Sequence, residues 1–162
     1  MNKKYLLAIL SIFFILVLVN LIFFQNNKFK VIFFDVGQGD AALIKLSDNT
    51  AMLVDCGPDK AVLAKLGEYL PFYNRTIDYL LISHFDLDHY GGCIDVLKRY
   101  KVKNIITNGQ EKNSDKYWLE WNRQKSKEGA REIIIDNASS VRFSNTNFDF
   151  LYPDKKIKET HM

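Results

Sequence analysis

The stretch that decides the fold is His84-Phe85-Asp86-Leu87-Asp88-His89, in which four of six side chains can bind a divalent metal. It follows an apolar run, residues 77–82, that has the composition of a buried strand. Because side chains alternate along an extended chain, His84 and Asp86 are expected on the same side. The other two ligands are then expected at the turn into a helix that begins near Tyr90.

The types of side chain in this stretch indicate which metal it would bind. Two imidazoles and two carboxylates suit zinc, manganese or iron better than calcium, because imidazole is a poor ligand for a hard cation. Two pairs of ligands predict two divalent metal ions, with zinc favoured and manganese as the alternative. The competing interpretation is an acidic turn without metal, in which Asp88 caps the following helix and the histidines make surface hydrogen bonds.

Two further motifs precede this stretch. They are Phe34-Asp35-Val36-Gly37-Gln38-Gly39-Asp40 and Val54-Asp55-Cys56-Gly57. In this order the motifs resemble the metallo-β-lactamase-like domain of ComEC-type competence proteins, and the resemblance covers about residues 30–153. The first stretch is similar to the His-x-His-x-Asp-His signature of that fold, with Asp86 in place of the second histidine. The resemblance implies an αββα sandwich made of two related βα halves.

The resemblance also implies a site and its chemistry. His84 and Asp86 would bind one metal, and Asp88 and His89 the other, with Asp88 assigned a catalytic role as well. The implied reaction is metal-assisted hydrolysis of a phosphodiester, in single-stranded or duplex DNA, linked to DNA uptake. Esters, lactams and thioesters remain open as substrates, because the substrate is inferred from the family alone.

Two carboxylates in the earlier motifs are assigned supporting roles by the same resemblance. Asp40 and Asp55 would hold a metal ligand or its bound water in place through hydrogen bonds, without binding the metal directly. Taken without the resemblance, Gly37-Gln38-Gly39-Asp40 is typical of a tight turn, where glycine permits dihedral angles that other residues resist.

The N-terminal part of the chain is predicted to span a membrane. Residues 5–24 form an apolar run with only two clearly polar members, and this length lets a helix cross about 30 Å of hydrocarbon. A cleaved signal peptide usually has a core of about 7 to 15 residues and small residues after it, whereas residues 25–27 are Gln-Asn-Asn. We therefore predict a single-pass anchor and cytoplasmic N terminus in residues 1–27, with Lys3 and Lys4 inside and the domain extracytoplasmic.

Residues 28–162 have a length typical of one domain. A meander of strands followed by alternating helices and strands predicts an α/β layered fold. The chain supplies little more than the first βα half of the sandwich. The resemblance would place a shared Asp and a His-His-Gly-Ser-like segment downstream, and neither occurs. His161, the one histidine after His89, is not predicted to be a ligand.

The missing second half leaves several functions open. The chain could be the first half of a divided enzyme that pairs with a complementary chain, a non-catalytic membrane-anchored binding module, or a truncated fragment. Alone it is expected to lack hydrolase activity, because four ligands are too few for two catalytic metals that need about three each. The net charge of +3 does not discriminate, since nucleic-acid binding depends on how charge is clustered.

Two cysteines and two glycines carry predictions about packing. Cys56 and Cys93 belong to no Cys-x-x-Cys or disulfide-scaffold pattern and are interpreted as buried core thiols, although an exported domain could oxidise them to a disulfide. Gly91 and Gly92 are expected to let the helix that follows the ligand stretch approach the site closely, because a Cβ there would obstruct it.

Overall fold

A computed structural model describes residues 3–24, 28–112 and 115–153 of the chain. Its first element is an isolated apolar helix, and the remaining helices and strands follow from Lys30 onward. The elements are α1 (Lys3–Phe24), β1 (Lys30–Phe33), β2 (Ala42–Lys45), β3 (Ala51–Val54), α2 (Ala61–Tyr69), β4 (Thr76–Leu81), α3 (Leu87–Arg99), β5 (Lys101–Thr107), α4 (Lys116–Glu128), β6 (Arg131–Ile134), β7 (Ser139–Phe143) and β8 (Thr146–Phe150).

Strands β1 to β6 form one six-stranded sheet in the order of the chain. The first three strands are an antiparallel meander, and β4, β5 and β6 then run parallel to β3 with helices in the connections. The α/β architecture predicted from the sequence is confirmed. Because parallel strands end at the same edge of the sheet, the loop that leaves β4 after Leu81 lies at the edge where β3 and β5 also end.

Each face of the sheet buries its own set of side chains. Neighbouring residues on a strand point to opposite faces, so Ile105 packs in the core under the helices and Ile106 in a second cluster on the other face. Strands β7 and β8 form an antiparallel hairpin that covers that second face. Its Phe143 ring packs against Tyr79, with 4.6 Å between ring centroids. The layers are therefore helices, sheet and hairpin.

The interpretation of the two cysteines as core thiols is wrong. Cys56 and Cys93 are buried and form a disulfide that joins the end of β3 to helix α3. The physical reason is the close approach that Gly91 and Gly92 allow. A Cβ on Gly91 would overlap the Pro58 carbonyl, and one on Gly92 would overlap the Cys56 carbonyl. The glycines thus bring α3 against this loop, and the two cysteine Cα atoms lie 5.2 Å apart.

Helix α3 begins earlier than predicted. Its first residue is Leu87 instead of a residue near Tyr90, because Asp86 is extended and its carbonyl already accepts hydrogen bonds from His89 and Tyr90. Asp88 therefore lies inside the first turn, and the alternative that it caps the helix is wrong. The cap position belongs to Asp86, whose side chain makes no capping hydrogen bond.

The N-terminal helix α1 is long and apolar enough to cross a membrane, and none of Lys3–Asn20 is buried. A signal sequence near an N terminus would satisfy the same test, so the helix is a candidate membrane span. At the other end of the chain, Pro153 is the last described residue. The prediction about His161 lies outside the described residues.

Candidate metal centre

The ligand stretch is held in place by one apolar side chain in its middle. Phe85 is buried among aromatic rings, 4.8 Å from Trp118 and 5.5 Å from Tyr90 between ring centroids. Since neighbouring side chains alternate in an extended segment, anchoring Phe85 inward turns His84 and Asp86 outward together. The His84 Nε2 atom lies 3.4 Å from Asp86 Oδ2, as the predicted alternation requires.

Both histidines of the stretch meet at the carboxyl edge of the sheet. The imidazole rings of His84 and His89 have centroids 3.9 Å apart, although one residue lies in the loop and the other in the first turn of α3. Asp88 lies in the same turn and is partly buried. Among the described residues, no carboxylate oxygen of Asp88 lies within 4 Å of a ring nitrogen of either histidine. The two histidine rings therefore contact each other but form no ion pair with Asp88.

Asp55 is a buried carboxylate that contacts the segments carrying both histidines. It follows β3 with a left-handed backbone, φ 54°, and is 3% exposed. Its Oδ1 accepts a hydrogen bond from the Ser83 amide at 2.8 Å, and its Oδ2 accepts one from the Ser83 hydroxyl at 2.6 Å. The same Oδ2 lies 3.0 Å from Nδ1 of His89. One carboxylate therefore ties the end of β3 to the end of β4 and to α3.

This hydrogen-bond pattern assigns the same tautomer to both imidazoles. His89 donates its Nδ1 proton to Asp55, since a carboxylate accepts only. The Ser83 hydroxyl gives its proton to Asp55, so its oxygen accepts from Nδ1 of His84 at 2.9 Å. When neutral, each ring in this arrangement carries its proton on Nδ1 and leaves Nε2 unprotonated. That is the state a metal requires, with the ring orientation fixed by the bond at the other nitrogen.

Asp40 lies near the same imidazole but farther away. Its Oδ2 is 4.0 Å from His89 Nδ1, and its side chain is 82% exposed, whereas that of Asp55 is 5% exposed. The backbone of Asp40 has a more direct role, because its carbonyl accepts a hydrogen bond from Gly57 at 2.9 Å. The loop also rests on α3, since a Cβ on Gly39 would overlap the Asp88 carbonyl. Asp40 thus belongs to a loop packed against the ligand stretch.

Two side chains at this site were not among the residues predicted from the sequence. Ser83 connects Asp55 to His84, and its position directly before the ligand stretch is the signal that could have identified it. Lys112 donates to the Phe85 carbonyl at 2.7 Å and its Nζ lies 3.9 Å from Asp86 Oδ1. Lys112 follows β5, so no spacing in the sequence links it to the ligands, and only the parallel sheet brings it there.

The donor types at this edge fit a borderline divalent metal. Each imidazole, when neutral, has an unprotonated Nε2 atom, and the carboxylates of Asp86 and Asp88 lie just before and within the first turn of α3. In the part of the chain that the structure describes, no three His, Cys, Asp or Glu side chains converge into a complete metal cage. The assignment of His84, Asp86, Asp88 and His89 as ligands therefore stays a prediction, supported by residue type and by the two fixed tautomers.

Comparison with known proteins identifies the family. Residues 34–158 match the metallo-beta-lactamase superfamily, and the chain belongs to it. The chain is also similar to Recombination protein 2 of Haemophilus influenzae, with 35% identity over 104 residues, which is 60% of this chain and 13% of that protein. The resemblance to ComEC-type proteins is thereby confirmed. Proteins of this superfamily typically bind divalent metals, which is the type of ion that the predicted ligands suit.

A second group of relatives consists of hydroxyacylglutathione hydrolases. Hydroxyacylglutathione hydrolase 2 of Vibrio vulnificus is 33% identical over 64 residues, which is 40% of this chain and 24% of that enzyme. The hydroxyacylglutathione hydrolase of another strain of the same species matches over the same length. The alignments thus span at most about a quarter of the length of these curated relatives.

Proposed function

We propose that this protein is a metal-dependent hydrolase that cleaves phosphodiester bonds in DNA on the outer side of a membrane, during DNA uptake. The observation that carries the proposal is the Asp55 carboxylate. It fixes His89 directly and His84 through Ser83, so that both Nε2 atoms are available to metal. A histidine that binds metal through one ring nitrogen regularly donates a hydrogen bond from the other, and an acidic turn without metal does not require this bond.

The side chains of the site divide into three roles. His84, Asp86, Asp88 and His89 would hold two divalent ions, zinc or manganese, with Asp88 in the catalytic machinery. When bound, such ions lower the pKa of water and balance charge that develops on the oxygens of the substrate. Asp55 and Ser83 orient the imidazoles. Lys112, 3.9 Å from Asp86, places an ammonium group where a phosphate oxygen of the substrate would lie beside the ligands.

The nature of the substrate is tested by comparing two reactions. A bis-aryl phosphodiester and single-stranded and duplex DNA represent the proposed class, and a hydroxyacylglutathione thioester represents the class named for the second group of relatives. With the second half of a complete relative co-expressed to supply the remaining ligands, we expect cleavage of the phosphodiester and a loss of activity in Lys112→Gln, since a cation beside the site favours an anionic phosphate. Lys116→Gln removes the same charge from an exposed position at the start of α4 and serves as the matched control. Thioester cleavage alone would refute the proposal.

Two features of the molecule support the proposed location. Helix α1 is a candidate membrane span, and the Cys56–Cys93 disulfide is typical of a domain that folds in an oxidising compartment. We propose an uncleaved single-pass anchor with the domain outside. Membrane fractions washed with carbonate should retain the whole chain. A soluble product that lacks α1 would show that the helix is a signal peptide instead.

The remaining metal ligands are proposed to come from polypeptide other than the described residues. The ligand stretch offers four side chains, whereas two catalytic metals each need about three protein ligands and a water. A complementary chain that carries the second half of the fold is one source. Metal content and phosphodiester cleavage should be measured for this chain alone and co-expressed with the second half of a complete relative. Equal activity in both samples would refute a divided enzyme, and metal binding without turnover in both would favour a binding module.

A further inference from the structure

The edge of the sheet opposite the ligand stretch carries an unusual group of exposed side chains. Strand β4 begins there at Thr76, level with Lys101 of β5, and β1 begins there at Lys30, level with Lys45 of β2. The ligand stretch leaves the other end of β4, after Leu81. The two ends of the sheet therefore face opposite directions, and whatever contacts one end leaves the other free.

Two aromatic residues project from the loop that joins α2 to β4. Phe72 is 87% exposed and Tyr73 is 74% exposed, and their rings meet edge to face at 5.4 Å. Neither aromatic residue belongs to the hydrophobic cores of the domain. Exposing two neighbouring aromatic rings to water is unfavourable, so such a pair indicates a contact with another phase or molecule.

Two arginines lie beside these rings. Arg75 ends the same loop and Arg99 ends α3, and both line a cleft of about 240 Å³ next to Phe72. Within the described residues, neither guanidinium has a carboxylate within 4 Å, whereas nearby Lys101 and Lys103 are paired with Glu128 and Asp78. The basal surface, defined as Phe72, Tyr73, Arg75 and Arg99, thus combines exposed aromatics with two guanidinium groups that form no salt bridge to any described residue.

This combination matches the headgroup region of a bilayer. Aromatic side chains concentrate at membrane interfaces because one part of the ring is apolar while the surroundings stay wet. Arginine and lysine near the surface are attracted by anionic lipids. A nucleic acid would also attract the arginines, but the position of the basal surface relative to α1 decides between the two partners.

The connection between α1 and the sheet is short. Helix α1 ends at Phe24 and β1 begins at Lys30, which leaves five residues, 25–29, between them. Fully extended, this connection spans roughly 20 Å, at about 3.3–3.6 Å for each residue. If α1 crosses a membrane, the first residue of β1 must therefore lie close to the bilayer surface. The basal surface is at this same end of the sheet.

We propose that the basal surface rests on the anionic phospholipid headgroups of the membrane that α1 spans, so that the candidate metal centre faces the aqueous side. The inference rests on the proposed membrane anchor. Phe72 and Tyr73 enter the interface, and Arg75 and Arg99 bind lipid phosphates. A substrate strand then reaches the ligand stretch from the open side, while the domain keeps a fixed orientation to the bilayer.

The test uses the full chain in vesicles of phosphatidylcholine and phosphatidylglycerol, with some lipids brominated near the headgroup as quenchers. The chain with Phe72→Trp is compared with the chain with Phe33→Trp. Phe33 is a matched control, because it is 83% exposed against 87% for Phe72. It lies on β1, three residues after Lys30 and toward the end of the sheet that carries the ligand stretch. After subtraction of the wild-type signal, we expect strong quenching for Phe72→Trp and little for Phe33→Trp.

A second pair of variants tests the charges. In the Phe72→Trp chain, Arg75→Gln with Arg99→Gln should lower the quenching by at least about fivefold, since each arginine contributes near an anionic surface. Lys60→Gln with Lys116→Gln removes the same charge at the opposite end of the sheet and should leave it unchanged. Full vesicle association with equal quenching at both tryptophan positions would overturn the proposed orientation alone. Failure to float with vesicles would overturn the anchor as well. A change in the fluorescence of the tryptophan at position 72 on addition of DNA, without quenching by the brominated lipids, would identify a nucleic-acid surface instead.

Discussion

Oδ2 of Asp55 lies 3.0 Å from Nδ1 of His89, and both side chains are largely shielded from water, at 5% and 14% exposure. A carboxylate at this distance fixes both the orientation of the imidazole and the nitrogen that carries its proton. Because Asp55 also accepts two hydrogen bonds from Ser83, the same group controls the approach of β4 and the environment of His84. The geometry predicts how strongly each neighbouring side chain affects metal binding.

Replacing the two supporting carboxylates should have unequal effects. We expect Asp55→Ala to weaken zinc binding by about 10- to 100-fold, which is typical when a ligand loses its hydrogen-bond partner. Asp40→Ala should weaken it less, because Asp40 is 4.0 Å from His89 and exposed. Isothermal titration with zinc ranks the two variants. A larger effect of Asp40→Ala would place the controlling carboxylate in the glycine loop instead.

Removing the Ser83 hydroxyl should release His84 without changing His89. In Ser83→Ala, Nδ1 of His84 loses its partner at 2.9 Å, while the contact between His89 and Asp55 remains. We expect nitrogen chemical shifts in NMR spectra to show a mixture of His84 tautomers and an unchanged His89. Ser47→Ala, in an exposed turn, is the control. Identical His84 spectra in both variants would show that the hydroxyl has no role in orienting the ring.

Two glycines of one loop allow a matched comparison. Gly37 and Gly39 both have positive φ, at 85° and 76°, so alanine strains the backbone similarly at each. A Cβ has open space at Gly37 but would overlap the Asp88 carbonyl at Gly39. Gly39→Ala should therefore displace the first turn of α3 and weaken zinc binding more than Gly37→Ala does. Equal affinities, measured by the same titration, would mean that the loop does not position Asp88.

The disulfide should contribute strongly to the stability of the domain. Cys56 and Cys93 are 37 residues apart, and closing a loop of this size corresponds to about 4 kcal/mol in the chain-entropy account. Urea denaturation of residues 28–162 should show a lower midpoint after reduction. The double variant Cys56→Ser, Cys93→Ser should match the reduced protein and no longer respond to reductant. Unchanged midpoints after reduction would contradict this contribution.

The layered fold could be predicted because its signals are local. Apolar strands and amphipathic helices alternate along the chain, and the resulting order of β3 to β6 follows from ordinary parallel connections. The pairing of His84 with Asp86 was also predictable, since it needs only the alternation of an extended segment anchored by Phe85. Asp55 was assigned its supporting role through the resemblance, and its contact with His89 agrees with that role.

The features that were missed depend on contacts between distant segments. Cys56 and Cys93 pair because two glycines let α3 pack on the loop after β3, and no cysteine spacing reveals that approach. Lys112 reaches the ligand stretch only because β4 and β5 end at the same edge. The start of α3 was misplaced because the extended backbone of Asp86, which sets it, has no distinctive sequence signal.

The central claim is that the stretch from His84 to His89 is a metal centre, and zinc titration of histidine variants tests it most directly. Wild-type protein should bind zinc, and His84→Ala and His89→Ala should each weaken binding by more than about 100-fold, beyond the loss expected for a mere supporting residue. His161→Ala is the matched control and should bind as the wild type does. The account is contradicted if the three variants bind zinc equally, or if the wild type binds none.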